Sequence, residues 1–477
     1  MSGKGVLMIL LMIVMAVVLK HFFYPWGGLS APTLPLNQWW GDEEEPRDWQ
    51  AYLDNSSEVI NNRLMYEESV INELKEQLNR PLHLTEPIRG ANFEYGFNTE
   101  ALKSIIKYWR DDYLPRWRER EIFLWQFNHF TTDIQGLRLH FFHLMAYDDQ
   151  TIDKHHYPVL LLHGWPGSVR EFFDLIHKLH QTETDKENKY IFNVVAPSLP
   201  GYAWSQGTSR PGLGPAQIAV MMRNLMLRLG YKKFFIQGGD WGSIIGSHMA
   251  TLFPENVLGY HSNFCTINTP NSIFKGFLAN FFPRLFAPSG FEDFFFPISD
   301  KWLYILEETG YMHLQATKPD TIGTALLNNP VGLAAYILEK FSIWTNASYR
   351  HYPDGGLTER FKLDDLLDNV MIYYLTDSIT TTQRVYKEHF SKEQMTLRLD
   401  YVPTYVPTGC VRFKNDLIHF LDFQLEEKYR NLIHSTYYHE GGHFAALEVP
   451  ESLYNDFISF VQKVERLAKI KEYKREL

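Results

Sequence analysis

The chain has 477 residues, of which 45% are hydrophobic and 15% aromatic, so it can bury a sizeable core in one large domain with additions or in two to three domains. Its net charge of −10 and the lack of a basic stripe argue against a nucleic-acid partner. The two cysteines, Cys265 and Cys410, suggest neither a disulfide framework nor a metal-ligand spacing. This usage favours a reducing compartment and predicts no metal site.

The N-terminal residues 1–26 predict a membrane anchor. Residues 6–19 are all apolar, but a helix of that length covers only about 21 Å of the roughly 30 Å hydrocarbon core. A helix over residues 6–26 would reach about 31 Å, with Lys20 extending its amine to the interface. A cleaved signal peptide is the alternative, but no small-x-small pattern closely follows the apolar run. Lys4 and Lys20 nearly balance, which leaves the orientation open.

Residues 27–126 predict a linker followed by an N-terminal meander. The linker is rich in Pro, Gly and acidic residues, and the region from about Asn61 to Arg120 has helical apolar periodicity. From residue 127 the pattern changes to strands. Residues 127–146 alternate around a turn at Gln135-Gly136, which indicates a hairpin.

The region 127–265 predicts the first part of an α/β core. Apolar runs at residues 157–162 and 190–196 are typical of buried parallel strands, and helical patterns separate them. A helix over residues 214–229 then leads to the strand Phe234-Phe235-Ile236. This alternation predicts a doubly wound, mostly parallel sheet.

The stretch GGDWG at residues 238–242 has the strand–turn–helix layout of a nucleophile elbow, small-x-nucleophile-x-small. Asp240 occupies the position where an esterase has serine. A carboxylate attacking an acyl carbon would form an anhydride, whereas displacement at an sp³ carbon forms an alkyl ester that water can hydrolyse. Epoxides and haloalkanes are therefore the two substrate classes to consider. An ordinary Gly-Asp turn is the alternative without chemistry.

A long aromatic, helix-rich stretch at residues 266–398 predicts a lid over the strand ends, where α/β enzymes bind ligands. Residues 399–477 then complete the core, with sheet character expected at 401–409 and a last strand near 432–438. His443 follows that strand in a Gly-Gly-His-Phe turn, the position of the base in this chain order.

The acid that orients His443 is expected in the loop GCVRFKNDLIHF, where Asp416 is the only carboxylate. A helix N-cap is its alternative role, and one residue can fill both. The rival acids are Asp422, Glu426, Glu427 and Asp377.

Four motifs taken together resemble the microsomal epoxide hydrolases, a group that includes the insect juvenile hormone epoxide hydrolases. They are GGDWGS, HGWPGS, PSLPGYAWS and EGGHFAALEVPE, and the likeness covers nearly the whole chain. The resemblance implies an α/β-hydrolase fold, no cofactor, an endoplasmic reticulum location with a single-pass anchor, and conversion of lipophilic epoxides to diols. Asp416 departs from the family's usual glutamate by one methylene.

The same resemblance implies roles for seven residues. Asp240 would be the nucleophile, His443 the proton acceptor and Asp416 the acid that orients His443. Two lid tyrosines, Tyr311 and Tyr386, would donate hydrogen bonds to the epoxide oxygen. The oxyanion hole would use the backbone N–H groups of Trp165 and Trp241.

Two other functions remain open from the sequence. A haloalkane dehalogenase shares the aspartate elbow, but it needs Trp or Asn side chains as halide donors in place of paired lid tyrosines. A membrane-tethered binding protein on a catalytically retired fold is the non-enzyme alternative.

Overall fold

The computed structural model describes residues 29–48, 59–62, 65–145, 155–180 and 189–476, with side chains to residue 470. The predicted anchor at residues 6–26 lies outside this part of the chain. Among the helices described, none is long and apolar enough to span a membrane.

A nine-stranded mixed sheet organises the described residues, in the order β1-β2-β3-β5-β4-β6-β7-β8-β9. The three pairings among the first four strands in this order are antiparallel, and the other five pairings are parallel. The strands are β1 (Ile60–Asn62), β2 (His129–Ile134), β3 (Leu137–Leu144), β4 (His155–Leu162), β5 (Tyr190–Pro197), β6 (Phe234–Gly238), β7 (Val257–Ser262), β8 (Thr408–Phe413) and β9 (Leu432–Tyr438).

Helices cover both faces of the sheet and its carboxyl-terminal edge. They are α1 (Glu68–Asn79), α2 (Thr99–Tyr108), α3 (Trp117–Leu124), α4 (Phe173–His180), α5 (Pro215–Arg228), α6 (Asp240–Leu252), α7 (Pro270–Ala279), α8 (Pro283–Phe286), α9 (Ile298–Glu308), α10 (Gly310–Thr317), α11 (Pro319–Leu327), α12 (Pro330–Ile343), α13 (Leu357–Arg360), α14 (Leu363–Leu375), α15 (Ile379–His389), α16 (Lys392–Leu397), α17 (Asp422–Leu425), α18 (Ala445–Glu448) and α19 (Pro450–Glu476).

The central strands explain why the chain folds around this sheet. Val159 to Leu162 in β4 and Phe234 to Ile236 in β6 are almost completely buried, as expected for strands covered on both faces by helices. The predicted hairpin is confirmed, with Gln135 and Gly136 both at positive φ in its turn.

The N-terminal meander packs on the hairpin. The backbone N–H of Trp40 donates to the carbonyl of Gln135 at 2.9 Å, and the Arg210 guanidinium donates to the carbonyl of Gly41 at 2.8 Å. The predicted helical region from Asn61 to Arg120 needs correction at its start. Residues 60–62 form β1, an edge strand that pairs with β2, because the hairpin edge offers unpaired backbone groups there.

The predicted strand at residues 401–409 is wrong in its position. The strand begins at Thr408 and continues to Phe413, so the first five residues of the sequence expected to be the acid's loop belong to β8. Upstream, Thr404 makes an isolated bridge to Tyr429. Pro403 and Pro407 lack the N–H that a central strand needs, which keeps this stretch out of the sheet.

The expectation that the cysteines stay unpaired is also wrong. Cys265, just after β7, and Cys410, in β8, form a disulfide with their Cα atoms 5.9 Å apart. Their strands are adjacent in the sheet, although 145 positions separate the cysteines in sequence. The pairing was hidden because the helix-rich stretch is inserted between the two strands. The cysteines therefore give no support to a reducing compartment.

Candidate active site

Asp240 lies at the turn between β6 and α6, in the left-handed region with φ of +48°. Non-glycine residues reach this region at a cost, so the surrounding fold must hold the turn. A Cβ at Gly238 would lie 2.6 Å from the carbonyl carbon of Gly242, and a Cβ at Gly242 would collide with the carbonyl of Leu162. Glycine at both positions lets the strand and the helix meet closely enough to present Asp240.

His443 and Asp416 lie on the buried side of Asp240. The Nδ1 of His443 lies 2.7 Å from Oδ1 of Asp416, and its Nε2 lies 3.3 Å from Oδ2 of Asp240. His443 and Asp416 are each 2% exposed in their side chains, against 17% for Asp240. The shorter aspartate thus reaches the imidazole, while Asp240 faces the open side.

The loop that carries His443 is held by the helix-rich stretch. The backbone N–H of His443 donates to the carbonyl of Trp344 at 3.0 Å, just after α12. A Cβ at Gly442 would lie 2.7 Å from that carbonyl, so the close approach needs glycine there. Asp416 also accepts a hydrogen bond from the N–H of Leu417 at 2.7 Å, which fixes its carboxylate.

Four aromatic residues surround the open side of Asp240. The backbone N–H of Trp165 donates to Oδ1 of Asp240 at 2.8 Å, and Trp241 is the second residue of α6. Tyr311 stacks on Trp165 at 5.1 Å, and Tyr386 meets Trp241 edge-on at 4.6 Å. The structure therefore brings together all seven residues singled out from the sequence.

The surroundings of His443, Tyr311 and Tyr386 raise the pKa of all three side chains. Burial alone would lower the pKa of His443, but the charges and hydrogen bonds of Asp416 and Asp240 outweigh it and raise that pKa to about 10. Burial, with a further contribution from the Asp240 charge, raises the pKa of Tyr311 and of Tyr386 well above the usual range. Both phenols therefore keep their protons at neutral pH.

Sequence reasoning missed two acidic groups beside this site. Burial raises the pKa of Glu171, on the turn Val169–Phe172, and of Glu448, at the end of α18, to about 8 in each case. Glu448 accepts a hydrogen bond from the N–H of Phe444 at 2.9 Å. Glu171 lies three residues after the motif HGWPGS, and Glu448 lies inside the motif EGGHFAALEVPE.

Within the described ranges, one group of three side chains has the residue types of a metal site: His261, His434 and Asp456, all buried. Oδ1 of Asp456 lies 2.9 Å from Nε2 of His261 and 3.0 Å from Nε2 of His434. These are hydrogen-bond distances, and the carboxylate also accepts from the hydroxyl of Thr436 at 2.6 Å. The group lies apart from Asp240 and joins β7 and β9 to α19.

The fold and the site define an α/β-hydrolase with a carboxylate in the elbow position. Residues 60–172 match the family described as "Epoxide hydrolase N terminus", and residues 157–396 match "alpha/beta hydrolase fold". The chain is 48% identical over 435 residues to "Juvenile hormone epoxide hydrolase 1" of Ctenocephalides felis, covering 91% of each. It is 39% identical over 466 residues to "Epoxide hydrolase 1" of Oryctolagus cuniculus, covering 96% of this chain and 100% of that protein.

A solved structure agrees with these similarities. The crystal structure of juvenile hormone epoxide hydrolase from the silkworm Bombyx mori matches with a TM-score of 0.86 and 41% identity, covering 91% of this chain and 100% of that one. The chain belongs to the epoxide hydrolase family. The resemblance drawn from the four motifs is confirmed.

Proposed function

We propose that the protein converts lipophilic epoxides to vicinal diols through an alkyl ester on Asp240. The observation that carries the proposal is the position of this carboxylate at the elbow. On one side it faces the N–H of Trp165 and the two buried phenols, and on the other the pair formed by His443 and Asp416. A carboxylate between hydrogen-bond donors and a base suits displacement at carbon followed by ester hydrolysis.

In the first step, Asp240 attacks the less hindered epoxide carbon. The carbon–oxygen bond breaks and negative charge develops on the epoxide oxygen. Tyr311 and Tyr386 donate hydrogen bonds to this oxygen, and one phenol transfers its proton to it. Their raised pKa supports this role, because a phenol must still carry its proton to act as a donor.

In the second step, His443 activates water. In the free enzyme the two flanking carboxylates hold the imidazole protonated, with a pKa of about 10. Esterification makes Asp240 neutral and removes one of the two charges that raise this pKa. The imidazole can then lose its proton to solvent while the phenolate left by the first step takes one from solvent. The neutral imidazole serves as a base, with Asp416 fixing its orientation. The N–H groups of Trp165 and Trp241 stabilise the oxyanion formed when water attacks the ester carbonyl.

The substrate class and the location are part of the same proposal. The relatives named juvenile hormone epoxide hydrolases support a lipophilic epoxide as substrate. The apolar run at residues 6–19 and its continuation to residue 26 support a single-pass anchor, and the family resemblance supports the endoplasmic reticulum membrane as its place. In the same proposal, residues 1–26 form the anchor, 27–126 the linker and meander, 127–265 the first part of the core, 266–398 the lid and 399–477 the second part of the core.

A single-turnover reaction in H₂¹⁸O, with excess enzyme and styrene oxide, tests the mechanism. The ester route predicts that the first diol takes its oxygen from Asp240 and carries little label, while label enters the regenerated carboxylate. The variant Asp240→Ala should lose activity by at least on the order of 10³-fold and keep its far-UV circular dichroism. Label appearing directly in the first diol would contradict the ester and reduce Asp240 to a base.

One observation keeps the dehalogenase reading testable. Among the residues that the structure describes, the buried indole N–H groups of Trp165 and Trp241 have no hydrogen-bond partner, and such groups are suitable halide donors. The double variant Tyr311→Phe, Tyr386→Phe separates the two reactions. Loss of epoxide turnover in this variant, with no 1-bromobutane turnover in the wild type, supports the epoxide route. Bromide release by the wild type that survives both substitutions supports the dehalogenase.

A further inference from the structure

A small cavity lies directly beside the candidate active site. Counted over the positions that the centre of a water molecule can occupy, its volume is about 20 Å³. About 10–15 Å³ by this measure holds one water molecule. Its wall includes Asp240, His443, Glu171, Asn263 and Gly164. The cavity therefore has the size for a single water next to the base and the nucleophile.

Three side-chain groups besides Asp240 offer hydrogen bonds around this cavity. His443 brings the imidazole that faces Asp240 through Nε2. The Asn263 carbonyl oxygen already accepts a hydrogen bond from the Gln237 amide at 2.9 Å. The Glu171 carboxyl group has no Lys, Arg or His nitrogen within 4.0 Å in the described part of the chain, so no ion pair accounts for its position. Neighbouring Arg170 is committed to Asp365 and Asp368.

Local structure fixes where the Glu171 carboxyl group lies. The turn Val169–Phe172 begins after Ser168, whose hydroxyl accepts from the N–H of Arg170 at 3.3 Å. A Cβ at Gly167 would lie 3.3 Å from both carboxyl oxygens, so glycine leaves them room beside the loop. The backbone N–H of Gly164 donates a hydrogen bond to this carboxyl group, which leaves its other acceptor positions available to the cavity.

We infer that Glu171 accepts a hydrogen bond from the hydrolytic water and positions it between Nε2 of His443 and the ester carbonyl carbon of Asp240. The inference rests on the proposed function and deepens its second step. The water oxygen forms a bond to the carbonyl carbon and gives one proton to Nε2 of His443. The second hydrogen of the water is held by a Glu171 oxygen. When the tetrahedral intermediate collapses, the bond to the alkyl oxygen breaks, and this oxygen takes the proton from His443 to complete the diol. Asp240, which now carries the second hydrogen of the water, passes it to His443 and becomes a carboxylate again.

This geometry makes Glu171 a positioning residue for one step only. Its carboxyl group acts on water that attacks the alkyl-enzyme, and water plays no part in the attack of Asp240 on the epoxide. Loss of Glu171 should therefore slow ester hydrolysis and spare ester formation. Because kcat/KM reports the steps up to the irreversible formation of the ester, kcat and KM should fall together while their ratio is kept.

The experiment measures both steps with styrene oxide in rapid-quench single turnovers, and the alkyl-enzyme is detected by intact mass. Glu171→Ala should slow ester hydrolysis on the order of 10-fold to 100-fold, with alkylation within about 2-fold of the wild type. Glu171→Gln keeps a carbonyl acceptor and should recover part of the hydrolysis rate. Asp174→Asn is the matched control, because Asp174 is an exposed carboxylate three residues further on and should leave both rates unchanged.

The outcomes separate the inference from the proposed function. Equal slowing of both steps in Glu171→Ala, or no change in either, overturns the positioning role. An alkyl-enzyme in the wild type together with an unchanged hydrolysis rate in Glu171→Ala overturns only the inference. Diol formation without any alkyl-enzyme in the wild type or the variants overturns the covalent mechanism, and the inference with it.

Discussion

Two buried groups of aspartate and histidine in this protein have the same residue types and different properties. The elbow cluster consists of Asp240, His443 and Asp416, and the sheet cluster of His261, His434 and Asp456. The elbow cluster has two carboxylates for one imidazole, whereas the sheet cluster has two imidazoles for one carboxylate. This ratio sets the charge that each cluster holds.

The protonation of the two clusters follows from that ratio. In the elbow cluster the flanking carboxylates overcome burial and raise the pKa of His443 to about 10. In the sheet cluster burial lowers the pKa of His261, and a single shared carboxylate does not compensate. Burial would raise the pKa of Asp456, but hydrogen bonds from both imidazoles outweigh it and lower that pKa. The elbow cluster therefore holds a proton that it can release, whereas His261 in the sheet cluster stays neutral at pH 7.

Their surroundings differ as well. The elbow cluster borders the cavity and follows the carboxyl ends of parallel strands, where α/β folds bind ligands. The sheet cluster is enclosed by β7, β9 and α19, with the ring of Phe457 5.5 Å from His261. Aspartate and histidine in contact thus support chemistry in one place and packing in the other. An adjacent cavity and an excess of carboxylate make the difference.

The largest effect should come from breaking the orientation of His443. Asp416→Asn keeps the shape but removes the charge that stabilises the imidazolium, so kcat should fall on the order of 10²-fold to 10³-fold. Asp416→Glu restores the longer acid and should stay within about 10-fold of the wild type. Steady-state kinetics with styrene oxide give both values. Equal activity in Asp416→Asn and the wild type would mean that His443 needs no oriented acid.

The matching change in the sheet cluster should affect stability instead of turnover. Asp456→Ala leaves His261 and His434 without their shared acceptor, in a buried place, and should lower the free energy of unfolding by about 2–5 kcal/mol. Activity per folded molecule at low temperature should stay near the wild-type value. Denaturant unfolding and kinetics on the same preparation measure both quantities. Asp174→Asn again serves as the surface control.

A stability unchanged within about 0.5 kcal/mol in Asp456→Ala would remove the packing role of the sheet cluster. A selective loss of kcat in a stably folded Asp456→Ala protein would mean that the two clusters are coupled. Either result would break the contrast drawn between them.

The smallest effects are pH slopes of opposite sign. The raised pKa of His443 contributes stability that is fully present below the unfolded-state value near 6.5 and is lost as the pH rises through about 10. The lowered pKa of His261 means that the unfolded chain gains the proton first, so its contribution is lost as the pH falls below about 6.5. Each slope is limited to about 1.4 kcal/mol per pH unit.

Denaturant unfolding from pH 5 to pH 9 tests the two signs. His443→Gln should flatten the alkaline decline of stability relative to the wild type, and His261→Gln should flatten the acidic decline. If both substitutions flatten the decline of stability on the same side of neutral pH, the charge ratios of the two clusters do not explain the pH dependence.

The local patterns of the sequence were sufficient for the elbow, the hairpin and the buried strands. Glycines at Gly238 and Gly242 around Asp240 constrain a turn of a few residues, and continuous apolar runs such as 157–162 specify strands covered on both faces. The Gly-Gly-His-Phe turn after the last strand likewise indicated His443 as the base. Such features depend on residues that are close together in the chain, so the sequence predicts them without knowledge of the tertiary structure.

Contacts between distant segments could not be read in this way. The disulfide joins cysteines 145 positions apart, because β7 and β8 become neighbours only when the helix-rich stretch folds away between them. The start of β8 at Thr408 depends on which residues pair with β7 and β9 in the folded sheet. Glu171 and Glu448 were missed because a carboxyl group on a turn has no signature until other segments bury it.

The residue types of the site and the class of reaction they allow follow from the amino-acid sequence, through Asp240, His443 and the four motifs. Tertiary contacts distinguish the aspartate and histidine group that borders a cavity from the group that packs the interior. They also determine where a cavity for one water lies. The physical reason is that burial, charge ratio and free volume arise from segments that meet across the fold, and none of these quantities is a property of a single stretch of chain.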